Sequence, residues 1–134
     1  MKTGFVGWRG MVGSVLLQRM HEENDFENID AIFFTTSQVG KPSPLNSINF
    51  PTLIDAFDIE ELKKMDVIIS CQGGDYTEKI HPQLRSRGWK GFWIDAASTL
   101  RMKKNSTIIL DPINKDIILK AIQNNQKDFI GGNC

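Results

Sequence analysis

The sequence has few cysteines and no long apolar run, and both shortages narrow the classes of protein to which it can belong. Among 134 residues there are two cysteines, Cys71 and Cys134, too few for a disulfide framework, so reduced thiols and a cytoplasmic location are expected. The longest fully apolar runs are a few residues long, whereas a transmembrane helix needs about 20. No signal-peptide pattern follows Met1. Neither a membrane partner nor a metal site is predicted.

The charges favour neither sign. Sixteen basic and sixteen acidic side chains give a formal net charge of zero and are spread along the chain. Without a basic patch, a nucleic-acid partner is not expected. An apolar fraction of 40% in a chain of this length is enough for one domain with a buried core.

Short apolar runs alternate with helical patterns along the chain. The sequence predicts strands at residues 4–6, 29–36, 66–71, 91–96, 106–111 and 128–132. It predicts helices at residues 10–23, from 58, at 75–87 and at 112–124. Strands alternating with helices favour an α/β fold of the Rossmann type: a doubly wound, mainly parallel sheet with helices on both faces.

Several side-chain positions in these helices can be predicted as well. In the first helix Val12, Leu16 and Met20 recur at a spacing of four, with Val15 beside them, and should form its buried face. In the last helix the apolar side should consist of Ile117, Ile118, Ala121 and Ile122. Pro82 is expected to divide or kink the third helix, because proline cannot donate a backbone hydrogen bond.

A glycine turn follows the first predicted strand. Gly7, Gly10 and Gly13 have the spacing G-x-x-G-x-x-G, which is not the commoner G-x-G-x-x-G. Glycines allow a tight turn and a close approach to a pyrophosphate, and the N-terminus of the following helix favours an anion. A helix-packing turn is the alternative, but the order of strand, turn, helix and strand favours dinucleotide binding. Arg9, inside the turn, could supply charge or stack on the adenine.

The second strand ends without the acidic residue typical of NAD sites. Thr35, Thr36, Ser37 and Gln38 stand where Asp or Glu would hold the ribose hydroxyls. Neutral hydroxyls can donate to a 2′-phosphate that a carboxylate would repel, so NADP is the expected cofactor, although these residues also suit an ordinary turn. Gln72 follows the third strand at the same sheet edge and is a candidate cofactor contact.

The two cysteines are expected to differ in role. Cys134 follows a strand and two glycines, where a helix would begin next, and a thiolate at a helix N-terminus is stabilised and reactive. Cys71 lies within an apolar strand and is interpreted as a small core residue. Arg101 could bind a phosphate or carboxylate through two hydrogen bonds, or be merely solvated. His21 and His81 are expected to face solvent away from the carboxyl edge of the sheet, so no general base is predicted.

Taken together, these stretches resemble the N-terminal part of aspartate-semialdehyde dehydrogenase of the Gram-negative bacterial type. The resemblance rests on GFVGWRGMVGSVL, FFTTSQVG, DVIISCQGGDYT, WIDAASTLRM, IILDPIN and FIGGNC, in order along all 134 residues. It implies an NADP-dependent enzyme that interconverts aspartate semialdehyde and aspartyl phosphate through a cysteine thioester. It also implies a place in lysine, methionine, threonine and diaminopimelate biosynthesis, and a homodimer for the full-length enzyme.

The same resemblance assigns roles to individual residues. Cys134 corresponds to the catalytic nucleophile and Arg101 to the residue that binds phosphate, while Asn133 is a weaker candidate for orienting the thiol. The cofactor-binding positions it implies are Arg9, Gly10, Met11, Val12, Thr36, Ser37 and Gln72.

Family members continue well beyond the nucleophile into a catalytic and dimerisation domain that holds the histidine acid/base. Residues 1–134 are therefore expected to form the NADP-binding domain alone and to be inactive by themselves. Two other hypotheses stay open: a free-standing, non-catalytic NADP-binding module, and a fragment of an enzyme like N-acyl-glutamyl-phosphate reductase.

Overall fold

The structure is a computed structural model that describes residues 1–44, 51–100, 106–109 and 115–131. The strands are β1 (Lys2–Val6), β2 (Asp30–Thr35), β3 (Ile54–Asp55), β4 (Val67–Ser70), β5 (Phe92–Asp95), β6 (Ser106–Ile109) and β7 (Asp128–Gly131). The helices are α1 (Met11–Glu22), α2 (Ile59–Leu62), α3 (Gly74–Ser86) and α4 (Lys115–Gln123), with a 3₁₀ turn at Asp25–Asn28. Predicted segments that include residues 110–114 and 132 lie partly outside the described residues.

The described strands form one sheet in the order β3-β2-β1-β4-β5-β7-β6, and every neighbouring pair is parallel. The predicted Rossmann-type fold is thus confirmed. Sequence reasoning missed β3, a strand of two residues beside Phe34 and Thr35, which is too short to show a period. The order reverses at β1, and in open parallel sheets a ligand binds outside the carboxyl ends of the strands at such a point.

Alternate residues of the central strands supply two cores on opposite faces of the sheet. Phe5 and Phe33 belong to one apolar cluster, whereas Val6, Ile32 and Phe34 belong to the other. This is the alternation that a strand buried on both faces requires. Part of α1 packs on the first cluster and α3 on the second, so the prediction that helices cover both faces also holds.

The predicted buried face of α1 was wrong in detail. Gly13 is buried and Leu17 and Met20 pack on the core, while Val12 and Val15 are 57% and 55% exposed. The helix packs through its glycine, so its axis lies close to the turn, and the apolar side chains flanking that contact point outward. Similarly, the last helix packs through Ala121, and the predicted partners Ile117 and Ile122 are exposed.

Pro82 does not divide the third helix. The helix α3 is continuous for 13 residues with Pro82 inside it. A proline removes only one backbone hydrogen bond, and the buried side chains of Ile80, His81 and Leu84 anchor the helix on both sides of it. The cap also differs from expectation: Gly73, at φ 108°, is the N-cap of α3, and Asp75 lies in its first turn. The predicted cap of α2 is confirmed, because Asp58 accepts a hydrogen bond from the Glu61 backbone N–H.

A polar cluster joins α3 to the amino end of the sheet. Both the His81 Nε2 and the Arg85 guanidinium donate to one carboxylate oxygen of Asp128, at 2.8 and 2.7 Å. Arg85 also donates to the carbonyls of Trp89 and Gly91. His81 is only 9% exposed and its ring meets Trp93 edge-on, so the prediction that it faces solvent was wrong. It faces away from the carboxyl edge, as expected.

This cluster makes stability depend on pH. Burial raises the pKa of Asp128, but hydrogen bonds from His81 and Arg85 outweigh it and leave the pKa below its usual value of 3.8. The ionised form therefore stabilises the fold at higher pH, and that contribution is lost as the pH falls below about 4 through the lowered pKa. At neutral pH, Asp128→Asn should cost about 1–3 kcal/mol of unfolding free energy.

Urea unfolding at several pH values checks this prediction. The variant should show a smaller loss of stability between pH 5 and pH 3 than the wild type. Exposed Asp116 is the matched control, since Asp116→Asn should change stability by about 0.5 kcal/mol or less. If the wild type and Asp128→Asn lose the same unfolding free energy between about pH 5 and pH 3, ionised Asp128 is not the source of the acid sensitivity.

Candidate dinucleotide-binding site

A cleft of about 360 Å³ lies outside the carboxyl ends of β1, β2 and β4. Three turns surround it, one after each strand. Its lining residues are Gly7, Trp8, Arg9, Gly10, Phe34, Thr35, Thr36, Ser37, Cys71 and Gln72. The cleft therefore lies at the point where the strand order reverses, which is where a Rossmann-type sheet binds its ligand.

The turn after β1 depends on two glycines with different tasks. Gly7 has φ 73°, a conformation that side chains disfavour, and a Cβ there would collide with the backbone of Cys71 and Gln72. A Cβ on Gly13 would collide with the Gly7 carbonyl and the Trp8 backbone. The first glycine lets the turn lie against the β4–α3 connection, and the second lets α1 lie against the turn.

Gly10 is the N-cap of α1 and leaves the end of the helix open. It contributes no side-chain cap, so within the described residues the first backbone N–H groups of α1 have no side-chain acceptor there. Its position is also uncrowded, since a Cβ there would meet only the Gly7 carbonyl at 3.7 Å. An uncapped helix N-terminus beside a cleft can accept a phosphate.

The turn after β2 is organised by Thr35. Its buried hydroxyl oxygen accepts hydrogen bonds from the backbone N–H groups of Ser37 and Gln38, at 3.2 and 3.1 Å. Thr36 and Ser37 are exposed at the cleft. The side chains available to a ligand at this wall are therefore hydroxyls and not a carboxylate.

Cys71 contributes to the third wall. It is half-buried and lines the cleft, so its interpretation as a core residue was wrong; it lies one residue past β4, where the strand has already ended. Burial, and secondarily the negative charge of Asp95, raise the pKa of its thiol. Near neutral pH the thiol is therefore protonated and a poor nucleophile.

A buried carboxylate organises the loop after β5. Asp95 is 1% exposed and accepts hydrogen bonds from the Thr77 hydroxyl at 2.5 Å, the Trp93 indole at 3.0 Å and the Ala97 backbone N–H at 2.8 Å. Gly74 admits the Thr99 side chain against the start of α3. The loop that leads toward position 101 is thus fixed at the carboxyl edge of the sheet.

The cleft brings together most of the residues predicted to bind a dinucleotide. Its lining includes Arg9, Gly10, Thr36, Ser37 and Gln72. Met11 and Val12 begin α1 beside it with exposed side chains. Arg101, Asn133 and Cys134 lie outside the described residues, so their predicted roles stay predictions.

Sequence reasoning missed Trp8. Its half-buried indole lines the cleft together with Gly7, Arg9 and Gly10 of the same turn. The available signal was the large aromatic residue inside a turn otherwise made of small or charged residues.

A second cleft, of about 1180 Å³, lies around α3 and the amino end of β7. Two carboxylates line it, Glu78 and Asp128, and Asp128 is already paired with His81 and Arg85. Metal-ligating side chains form no cluster within the described ranges. The same ranges contain no helix long and apolar enough to cross a membrane.

Comparisons with known proteins agree with this geometry. Residues 2–121 match the family described as semialdehyde dehydrogenase, NAD binding domain. Among solved structures, an aspartate semialdehyde dehydrogenase from Francisella tularensis is 57% identical over 100% of the chain, with a TM-score of 0.95. The chain covers 37% of that protein's length.

More distant structures share the fold. Aspartate semialdehyde dehydrogenase II from Vibrio cholerae, solved with ASA, is 18% identical over 98% of the chain, with a TM-score of 0.73. The Candida albicans enzyme, solved with NADP, is 17% identical over 97% of the chain, with a TM-score of 0.60. The chain covers 38% and 41% of these two proteins.

Proposed function

Because the chain belongs to the family of semialdehyde dehydrogenase NAD-binding domains, we propose that it is the NADP-binding part of an aspartate-semialdehyde dehydrogenase. The identity of 57% to the Francisella tularensis enzyme along the whole chain supports this substrate class over the acyl-glutamyl-phosphate enzymes. The chain spans about a third of that protein, so residues beyond it would complete the catalytic site.

One observation supports NADP as the cofactor. The uncapped N-terminus of α1 and the end of β2, which carries no carboxylate, face the same cleft. The pyrophosphate would bind beside Gly10, at the backbone N–H groups of Met11 and Val12 that begin α1. The 2′-phosphate would lie near Arg9, Thr36 and Ser37, which offer one positive charge and two hydroxyls. Gln72 would contact the cofactor from the third wall.

The chemistry follows from the two residues that the family pattern assigns. In the oxidative direction, the Cys134 thiolate would add to the aldehyde carbon and form a thiohemiacetal. NADP, when bound, would supply the hydride acceptor. Phosphate held by Arg101 would then attack the resulting thioester carbon, releasing the thiolate and forming aspartyl phosphate. Two moderate steps replace one difficult exchange.

Other properties belong to the same proposal. The active protein would be a cytoplasmic homodimer that serves lysine, methionine, threonine and diaminopimelate biosynthesis. Residues 1–134 would form its NADP-binding domain and would be inactive alone, because no histidine of the described chain faces the cleft and a thiol acting on a carbonyl needs a general acid or base.

Isothermal titration of the protein made from its complete gene tests the cofactor proposal. We expect NADP to bind at least about 10-fold more tightly than NAD, a difference of about 1.4 kcal/mol. Ser37→Asp should weaken NADP binding and not NAD binding, since a carboxylate repels the 2′-phosphate. The matched change Ser86→Asp, on an exposed residue of α3 far from the cleft lining, should alter neither. If neither NADP nor NAD binds to the wild type, the proposal is refuted.

A further inference from the structure

Trp8 connects two walls of the cleft. Its indole Nε1 donates to the backbone carbonyl of Phe34 at 3.0 Å. Its ring meets Phe33 edge-on, with centroids 5.4 Å apart and planes at 77°. One side chain from the turn after β1 is therefore bound to the last residues of β2, through both a hydrogen bond and an aromatic contact.

The position of this connection matters because of what lies next to it. Phe34 directly precedes Thr35, whose hydroxyl organises the turn that presents Ser37. On the other side, the Arg9 guanidinium carbon lies 6.0 Å from the centre of the Trp8 ring. Trp8 thus lies between Arg9 on one side and, on the other, the end of β2 that leads into the turn carrying Thr36 and Ser37.

We propose that Trp8 is a positioning residue that sets the spacing between Arg9 and the Thr36–Ser37 hydroxyls, and thereby the preference for a 2′-phosphorylated dinucleotide. This inference rests on the proposed NADP-binding function. Trp8 need not touch the cofactor for this role, because a rigid spacing lets both walls contact one phosphate without reordering.

The described chain contains a matched control for this interaction. Trp89 also donates its indole N–H to a backbone carbonyl, that of Met65, at 2.8 Å, and is 6% exposed. It lines no part of the cleft. Trp8→Phe and Trp89→Phe therefore remove the same kind of hydrogen bond, one at the site and one away from it.

Titration of both variants with NADP and with NAD tests the inference in the protein made from its complete gene. Trp8→Phe should weaken NADP binding about 5-fold, as expected for one lost hydrogen bond, and change NAD binding by less than about 2-fold. Trp89→Phe should lower the melting temperature and keep the wild-type preference. An unchanged preference in Trp8→Phe, or an equal loss in both variants, would overturn the inference and leave the cofactor proposal standing. Failure of the wild type to bind either dinucleotide would instead refute the cofactor proposal.

A second measurement applies even if Trp8→Phe does not fold. Residues 1–134 contain three tryptophans, and in protein labelled with 5-fluorotryptophan each gives a fluorine resonance that single Trp→Tyr variants assign. The Trp8 resonance should move more with NADP than with NAD, while those of Trp89 and Trp93 stay in place. A Trp8 resonance that responds equally to both dinucleotides, or to neither, would count against the inference.

Discussion

Replacing Gly13 with alanine should lower the free energy of unfolding by about 3 kcal/mol, the upper end of the usual cost of overpacking. The added methyl group would meet the Gly7 carbonyl and the Trp8 backbone. Backbone atoms cannot move aside as a flexible side chain can, so α1 would have to shift away from the turn. Any gain in helix propensity, about 0.5–1 kcal/mol for alanine over glycine, is smaller than this cost.

Gly10 provides the matched control, three residues earlier in the same turn. Its φ is −74°, and an added Cβ would find only one neighbouring atom, at 3.7 Å. Gly10→Ala should therefore change stability by less than about 1 kcal/mol. Chemical denaturation of both variants measures the difference. Equal stability of Gly13→Ala and Gly10→Ala would show that the close packing of α1 on the turn is not a constraint.

The second large effect concerns activity. Under the proposed function, Cys134→Ser should reduce the phosphate-dependent reduction of NADP by aspartate semialdehyde at least about 10³-fold, since loss of the proposed covalent nucleophile removes the catalytic route. The assay uses the protein made from its complete gene, and binding of NADP should persist. Retention of more than about a tenth of the wild-type rate would exclude Cys134 as the nucleophile.

Cys71 serves as the comparison thiol. Burial and the charge of Asp95 raise the pKa of its thiol, so it is protonated at neutral pH. Cys71→Ala should leave kcat within about 3-fold of the wild type, although KM for NADP can change because the residue lines the cleft. Iodoacetamide should label Cys134 first. Loss of kcat in Cys71→Ala with normal kcat in Cys134→Ser would reverse the assignment.

The sheet could be predicted from sequence because its signals are local. Apolar runs such as that of β2, bounded by turn residues, have few alternatives to a buried strand. The cap formed by Asp58 is also local, since it involves a backbone N–H three residues away. Elements set by short-range patterns were therefore found with bounds close to those observed.

The wrong predictions concern residues whose burial or helical conformation depends on contacts with residues far away in the sequence. His81 is buried because Asp128, 47 residues later, offers its carboxylate. Val12 is exposed because α1 packs through Gly13, and a glycine adds nothing to an apolar pattern. Pro82 remains in α3 because buried neighbours hold the helix on both sides. The pairing of Trp8 with Phe34 was likewise invisible, since it joins residues 26 positions apart.

In the turn after β2, the residue that shapes the backbone is not one of the residues that face the ligand space, and this separation affects how cofactor preference can change during evolution. Thr35 is buried and shapes the turn, whereas Thr36 and Ser37 are exposed and belong to neither apolar core. Substitutions at the outer two positions alter what the cleft offers a ligand while leaving the fold's stability nearly unchanged. A lineage could therefore change its preference from one dinucleotide to the other through a few mutations, and the protein would stay folded after each of them.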